Sequence, residues 1–161
     1  MKLTTKGRYA VTAMLDLVLH GEAEAVAEGN AVSLAAIGAR QDISSAYLEQ
    51  LFRGLRAADL VAASKGPGGG YRLARPAAQI SVSDIVSAVG EGIDATRCGG
   101  AGDCQDGQEC LTHGLWADLS QQIDDFLGGI TLASLVAQRT TREVAARQDR
   151  QASRIAAQNL H

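Results

Sequence analysis

The chain has 161 residues, 46% of them hydrophobic but only 4% aromatic, with 18 glycines. That length supports one modest core plus an appended element or two, and a core of Leu, Ile, Val and Ala interrupted by many turns argues against a large β-sandwich. A formal net charge of −3 argues against a uniformly basic coat, yet Lys and Arg outnumber Asp and Glu by nine to seven up to Arg75 and trail by six to eleven after it, an asymmetry compatible with a nucleic-acid face beside an acidic half.

The opening MKLTTKGRYA is basic but has no apolar h-region, and no segment approaches the ~20 apolar residues needed to span a bilayer, so a cytoplasmic protein is expected. Residues 9–19 carry Val11, Met14, Leu15 and Val18 at three- and four-residue spacing, which predicts a helix with one inward face. His20 reads as a helix-end residue near the C-terminal dipole. The stretch 21–30 mixes Glu, Ala and Gly without a period and reads as an exposed loop. A second helix follows, with Ser33 as N-cap and Leu34 and Ile37 inward.

In ISSAYLEQLFRGLRAADL, Ser44 is an N-cap and Ile43 can staple onto Leu48. Leu48, Leu51, Phe52 and Leu55 share one face, whereas Ala46, Gln50 and Arg53 point away, flanked by Tyr47 and Glu49. A short helix, a tight turn and a second helix with a polar outer face fit a helix-turn-helix, although two such helices are also a common packing unit. Runs at 60–64 and 71–73 flank KGPGGG and predict a two-stranded hairpin, the wing that would follow such a motif, with Lys65 and Arg72 at its base able to meet phosphates. On the second helix Gln50 can pair with adenine and Arg53 with guanine or phosphate. Glu49 can accept from cytosine, repel phosphate or simply be solvated.

Residues 81–90 predict a helix with Ser81 and Asp84 as a capping pair and Val82, Ile85, Val86 and Val89 inward. Residues 111–127 predict a longer one. Its Leu115, Trp116, Leu119, Ile123 and Phe126 form a seam with four-three spacing that needs a partner helix. Gly128 and Gly129 stop it, and Thr131 caps a short helix through Val136. Beyond Gln138 the Arg-, Gln- and Ala-rich sequence reads as a frayed or disordered tail.

Three cysteines fall within thirteen residues, spaced C-x5-C-x5-C, with His113 three residues beyond Cys110. In a reducing compartment this odd number points to metal or redox use rather than disulfides. Cys98, Cys104 and Cys110 are soft donors and a neutral imidazole can complete a fourth position. The wide, Gly-rich spacing favours an iron-sulfur cluster over zinc, whose cysteines usually pair two to four residues apart; unliganded thiols are the third reading. Gly99, Gly100, Gly102 and Gly107 would let the loop wrap an inorganic core. No serine-base pairing, nucleotide loop or paired carboxylate supports an enzyme. A small cluster carrier or electron-transfer protein and a zinc-stabilised winged-helix repressor are the rival readings.

The segments MKLTTKGRYAVTAMLDL, SSAYLEQLF, GPGGGY and DATRCGGAGDCQDGQECLTHGLW together resemble the IscR family of bacterial iron-sulfur cluster regulators, over residues 1 to about 137. The resemblance implies a mainly α fold with a small β-hairpin wing. It divides the chain into a winged helix-turn-helix DNA-binding domain (1–80), a cluster-binding loop with dimerisation helices (81–137) and a tail (138–161). It also implies a homodimer crossing along the 111–127 helix, and a 2Fe-2S cluster on Cys98, Cys104, Cys110 and His113 supplied by the cluster-assembly machinery. Such proteins repress cluster-assembly genes when loaded, and their cluster-free form binds a second class of double-stranded sites and can activate. Glu49 matches the glutamate that sets that discrimination, and Tyr47, Gln50 and Lys65 match groove contacts. Lys2, Thr4, Ser45, Ala46, Arg53, Gly66 and Gly68 complete the expected DNA-contacting set. Ala46 stands where serine is frequent, Lys65 lacks the fork of the more common arginine, and the 21–30 loop is longer than usual.

Overall fold

The computed structural model describes residues 4–21 and 31–160; Lys2 and nearly all of the 21–30 loop lie outside the described residues. Helix α1 (Thr5–His20) starts where the Thr4 hydroxyl accepts from the Lys6 N–H, and it buries Ala10, Ala13, Met14 and Leu17. Val11, Leu15 and Val18 flank that stripe half-buried, so the inward face is rotated from the expected one. Alanines let neighbouring helices approach closely, a contribution that a reading of large apolar side chains passes over.

Helix α2 (Leu34–Gln41) is capped by Ser33 and ends at Asp42 in the left-handed conformation. After this turn α3 (Ser45–Ala57) is capped by Ser44, whose hydroxyl accepts from the Tyr47 N–H. Leu48, Leu51, Phe52 and Leu55 of α3 are fully buried, as their spacing predicts. Strands β1 (Val61–Ser64) and β2 (Gly70–Leu73) form an antiparallel hairpin in register Val61↔Leu73 to Ser64↔Gly70. Tyr71 exchanges two backbone hydrogen bonds of 2.8 Å with Val32, fastening the wing to the start of α2. Only glycine fits at position 70, because a Cβ there would lie 2.3 Å from the Val32 carbonyl oxygen. Phe52 packs its ring 4.7 Å from that of Tyr71, so α3 and the hairpin share one support.

A 3-10 turn at Ala77–Gln79 leads to α4 (Val82–Ala88), which opens with the anticipated reciprocal capping of Ser81 and Asp84. Helix α5 (His113–Gly128) stands off the core: His113 is its only buried residue. Leu115, Trp116 and Phe126 are 61%, 40% and 67% exposed, with Leu119 and Ile123 half-covered. The chain then returns, with the Val82 N–H donating to the Ile130 carbonyl and the Leu132 N–H to that of Ile80. Leu132 in α6 (Leu132–Ala137) is thereby driven fully into the core.

The last segment corrects the expectation of disorder: Arg139–Gln158 is a 20-residue helix, α7. Its Arg, Gln and Ala are strong helix formers, and its inner face needs little hydrocarbon. Ala145 is buried, the amides of Gln41 and Gln148 exchange hydrogen bonds of 3.0 and 2.9 Å, and His20 Nε2 lies 2.8 Å from Asp149 Oδ1. Beneath them is a buried polar knot: the Asp16 carboxylate accepts from Arg40 Nε (3.0 Å), Arg40 Nη2 (2.7 Å) and Gln41 Nε2 (2.8 Å). The architecture is mainly α with a small hairpin wing, as the resemblance implies. No described helix is long and apolar enough to cross a membrane.

Candidate metal centre and DNA-reading face

The cysteine loop is a defined structure built by its glycines and side-chain hydrogen bonds. Asp94 accepts from both the N–H (2.7 Å) and hydroxyl (2.6 Å) of Thr96, whose oxygen accepts from the Gly100 N–H (2.7 Å). The Thr96 hydroxyl and N–H hold the Asp94 carboxyl below its usual range. Ser120 of α5 accepts from the Ala95 N–H at 2.8 Å, tying the loop to the helix that follows it. Between the second and third cysteines, Gln105 and Gln108 exchange backbone hydrogen bonds of 2.9 and 2.8 Å around Asp106 and Gly107, both at positive φ. This is the Asp-Gly turn of a tight hairpin, and it explains the five-residue spacing: the chain doubles back and sets the Cys110 N–H 3.0 Å from Cys104 Sγ.

His113, at the first turn of α5, closes the group. Its Nδ1 lies 3.5 Å from Cys98 Sγ and 3.7 Å from Cys104 Sγ, and these three donor atoms all fall within 4.8 Å of one another. The other ring nitrogen lies 3.7 Å from Glu109 Oε1, beyond hydrogen-bond distance. Cys110 lies outside this group of three: its N–H reaches Cys104 Sγ, while its own Sγ lies 3.9 Å from Thr112 Oγ1. All three cysteines are free and half-buried.

Burial opposes ionisation of Cys98, but the N–H groups of Gly102 and Asp103, the Thr96 hydroxyl and the Cys104 thiol outweigh it and bring that thiol down to about 6. Cys110 is lowered by the Cys104 thiol and the Thr112 backbone. Cys104 is raised: the Cys110 N–H favours its thiolate, but the neighbouring thiols and burial prevail. A cation would reverse that last shift, because the metal-binding form of cysteine is the thiolate. A cavity of about 590 Å³ opens beside the donors, bordered by Thr96, Arg97, Cys104, Cys110, Thr112 and Trp116. Neither Glu109, Thr96 nor Thr112 was singled out from the sequence. Their proximity in sequence to the donors was the available signal.

The residues expected to meet DNA lie on α3, the hairpin and the start of α1. Ser45, Ala46, Glu49, Gln50 and Arg53 are all exposed along α3, and Arg56 continues the row. Tyr47 is half-buried with its ring edge-on to Tyr9 at 5.8 Å, which ties the start of α3 to α1. Lys65, Gly66 and Gly68 are exposed on the wing, the two glycines at positive φ. Thr4 is exposed, with its hydroxyl engaged at the end of α1. Arg72, expected at the phosphate backbone, is half-buried, and its Nη1 donates to Ser64 Oγ at 2.8 Å across the hairpin. A groove between α3 and the wing is bordered by Leu34, Glu49, Arg53, Arg56 and Tyr71.

This pairing of winged helix and cysteine loop has relatives. The profile of the Rrf2 family, described as iron-dependent transcriptional regulator, matches residues 3–138. The chain belongs to the Rrf2 family. Among Rrf2-type relatives, the HTH-type transcriptional regulator IscR of Vibrio parahaemolyticus is 55% identical over 149 residues, covering 92% of this chain and 85% of the relative. That of Cronobacter sakazakii is 53% identical over 154 residues, 96% of this chain and 91% of the relative. The solved structure of T. potens IscR superimposes with a TM-score of 0.67 at 37% identity, over 84% of this chain and 86% of that one. The B. subtilis global cysteine regulator CymR gives 0.69 at 30% identity, over 85% and 97%. The Rrf2 assignment makes this chain a DNA-binding winged-helix transcription regulator and not an enzyme.

Proposed function

We propose that this regulator senses iron-sulfur supply, with Cys98, Cys104, Cys110 and His113 holding a 2Fe-2S cluster whose presence selects the promoters bound. The observation that carries this reading is the convergence of Cys98, Cys104 and His113 within 4.8 Å, with Cys110 brought alongside by the 105–108 hairpin. Three thiolates and one imidazole suit a cluster, and the glycines leave room around them. When bound, the cluster supplies a charge and a lability that follow iron, sulfide and oxidant. The Glu109 carboxylate lies on the far side of the His113 ring from the sulfurs, where it can favour the imidazole electrostatically. Partial replacement of thiolate by a neutral ring reduces the negative charge of the site and eases its loss on protonation.

In this reading residues 1–80 read double-stranded DNA and 81–137 carry the sensor and the seam for a homodimer. The exposed stripe of Leu115, Trp116 and Phe126 with the half-covered Leu119 and Ile123 supports that seam. Ser45, Ala46, Tyr47, Glu49, Gln50 and Arg53 enter the major groove, and Lys2, Thr4, Lys65, Gly66 and Gly68 meet the flanking backbone. Loaded protein represses cluster-assembly genes, cluster-free protein binds a second site class and activates, and the assembly machinery is the cluster donor.

Anaerobic reconstitution followed by iron, sulfide and zinc analysis tests the first link, and titration of loaded and cluster-free protein against both site classes tests the second. The expected result is visible absorbance with matched iron and sulfide, and a change of site preference on loading. Zinc alone, or identical preferences in both states, refutes the proposal.

A further inference from the structure

Thr112 occupies the N-cap position of α5, where a threonine hydroxyl ordinarily accepts from a backbone N–H of the first turn. Here it does not: with φ −110° and ψ 8° the residue makes no side-chain cap bond. Its Oγ1 instead accepts from the indole N–H of Trp116, one turn along the helix, at 3.1 Å, and lies 3.9 Å from Cys110 Sγ. An indole nitrogen can only donate, so this contact uses an acceptor site of the hydroxyl and leaves its proton for another partner. A ligating thiolate sulfur is an acceptor, and the Cys110 sulfur is the one within reach. The cap interaction ordinarily made at the head of a helix is given up here, so the geometry favours a task for this hydroxyl outside the helix.

We infer that Thr112, oriented by Trp116, is a positioning residue that donates its hydroxyl proton to the Cys110 sulfur and so stabilises and tunes the cluster. The inference rests on the cluster reading above. Hydrogen bonds to ligand sulfurs favour the more negatively charged, reduced state, and partners of this kind hold the ligand in place. Thr112 thus retards loss of the cluster and raises its potential. Trp116 acts one bond further out, by holding the oxygen.

The test uses full-length protein reconstituted anaerobically: parent, Thr112→Val, Thr112→Ser and Trp116→Phe. Readouts are iron and sulfide content, midpoint potential by redox titration, and the decay of visible absorbance in air. Thr112→Val should load with the parental iron and sulfide, titrate at a lower potential, and lose its cluster faster by on the order of tenfold, the lower end for losing a partner of a metal ligand. Thr112→Ser, which keeps the hydroxyl, should recover the parental potential, and Trp116→Phe should fall between. Parental potential and lifetime in Thr112→Val overturn the inference while leaving the cluster reading intact. A parent that takes up neither iron nor sulfide overturns both. Should Thr112→Val not fold, Trp116→Phe decides alone: parental potential and lifetime there also overturn the inference.

Discussion

Replacing Asp16 with alanine should be among the most damaging single changes to this fold. Its side chain is fully buried, and it accepts two hydrogen bonds from Arg40 and one from Gln41. The same bond to Asp16 holds the Arg40 guanidinium above its usual pKa range. With the carboxylate gone, a guanidinium that is only 15% exposed keeps its charge and loses its partner. Removing one member of such a pair costs about 3–5 kcal/mol. For a chain of this length each kcal/mol moves the midpoint by about 2–4 °C, so a fall of roughly 10 °C is expected. Urea denaturation at equilibrium, with Arg40→Met and the double variant completing the cycle, measures the pair directly. Arg40→Met strands the fully buried carboxylate and should be comparably damaging, and the double variant should be milder than the sum, by a coupling of about 2 kcal/mol. A loss below about 1 kcal/mol in Asp16→Ala, or additive single effects, refutes the assignment of this knot as the junction of α1 and α2.

Gly54 packs α3 against α4 so closely that a Cβ would lie 2.6 Å from the Ala88 carbonyl oxygen; Gly54→Ala should cost about 1–3 kcal/mol in the same denaturation experiment despite its better helix propensity. Lys65→Ala should weaken binding to all operators nearly equally and reduce the slope of log affinity against log salt by about one, as read from titrations at several salt concentrations. Leu119→Glu combined with Phe126→Glu should give a folded monomer in sedimentation velocity, because both residues lie on the unpartnered stripe of α5; a persisting dimer would exclude that stripe as the seam.

Much of this architecture was legible because its signals are local. Ser33, Ser44, Ser81 and Thr131 each cap the helix that their position announces. Leu48, Leu51, Phe52 and Leu55 face the core as their period requires. Of the four expected donors, Cys98, Cys104 and His113 fall within 4.8 Å of one another, and their residue types were the signal. Helix α1 begins earlier than its apolar period, because its first turn is set by the Thr4 cap rather than by hydrophobic residues. Helix α7 was missed because it docks through an alanine, a glutamine pair and a histidine–aspartate hydrogen bond, which composition records as polarity. The Arg72–Ser64 bond across the hairpin and the role of Thr112 depend on neighbours placed by the completed fold, so no spacing rule reports them.

The Glu91 carboxylate, at the head of the stretch that leads to the thiols, accepts from the Gly7 N–H in the first turn of α1, 3.0 Å away and 84 positions earlier in the chain. A negative charge there also suits the positive end of the helix dipole. That single hydrogen bond pins the segment leading to the cysteines against the end of α1 that follows Thr4, so the two parts of the chain meet at one side chain.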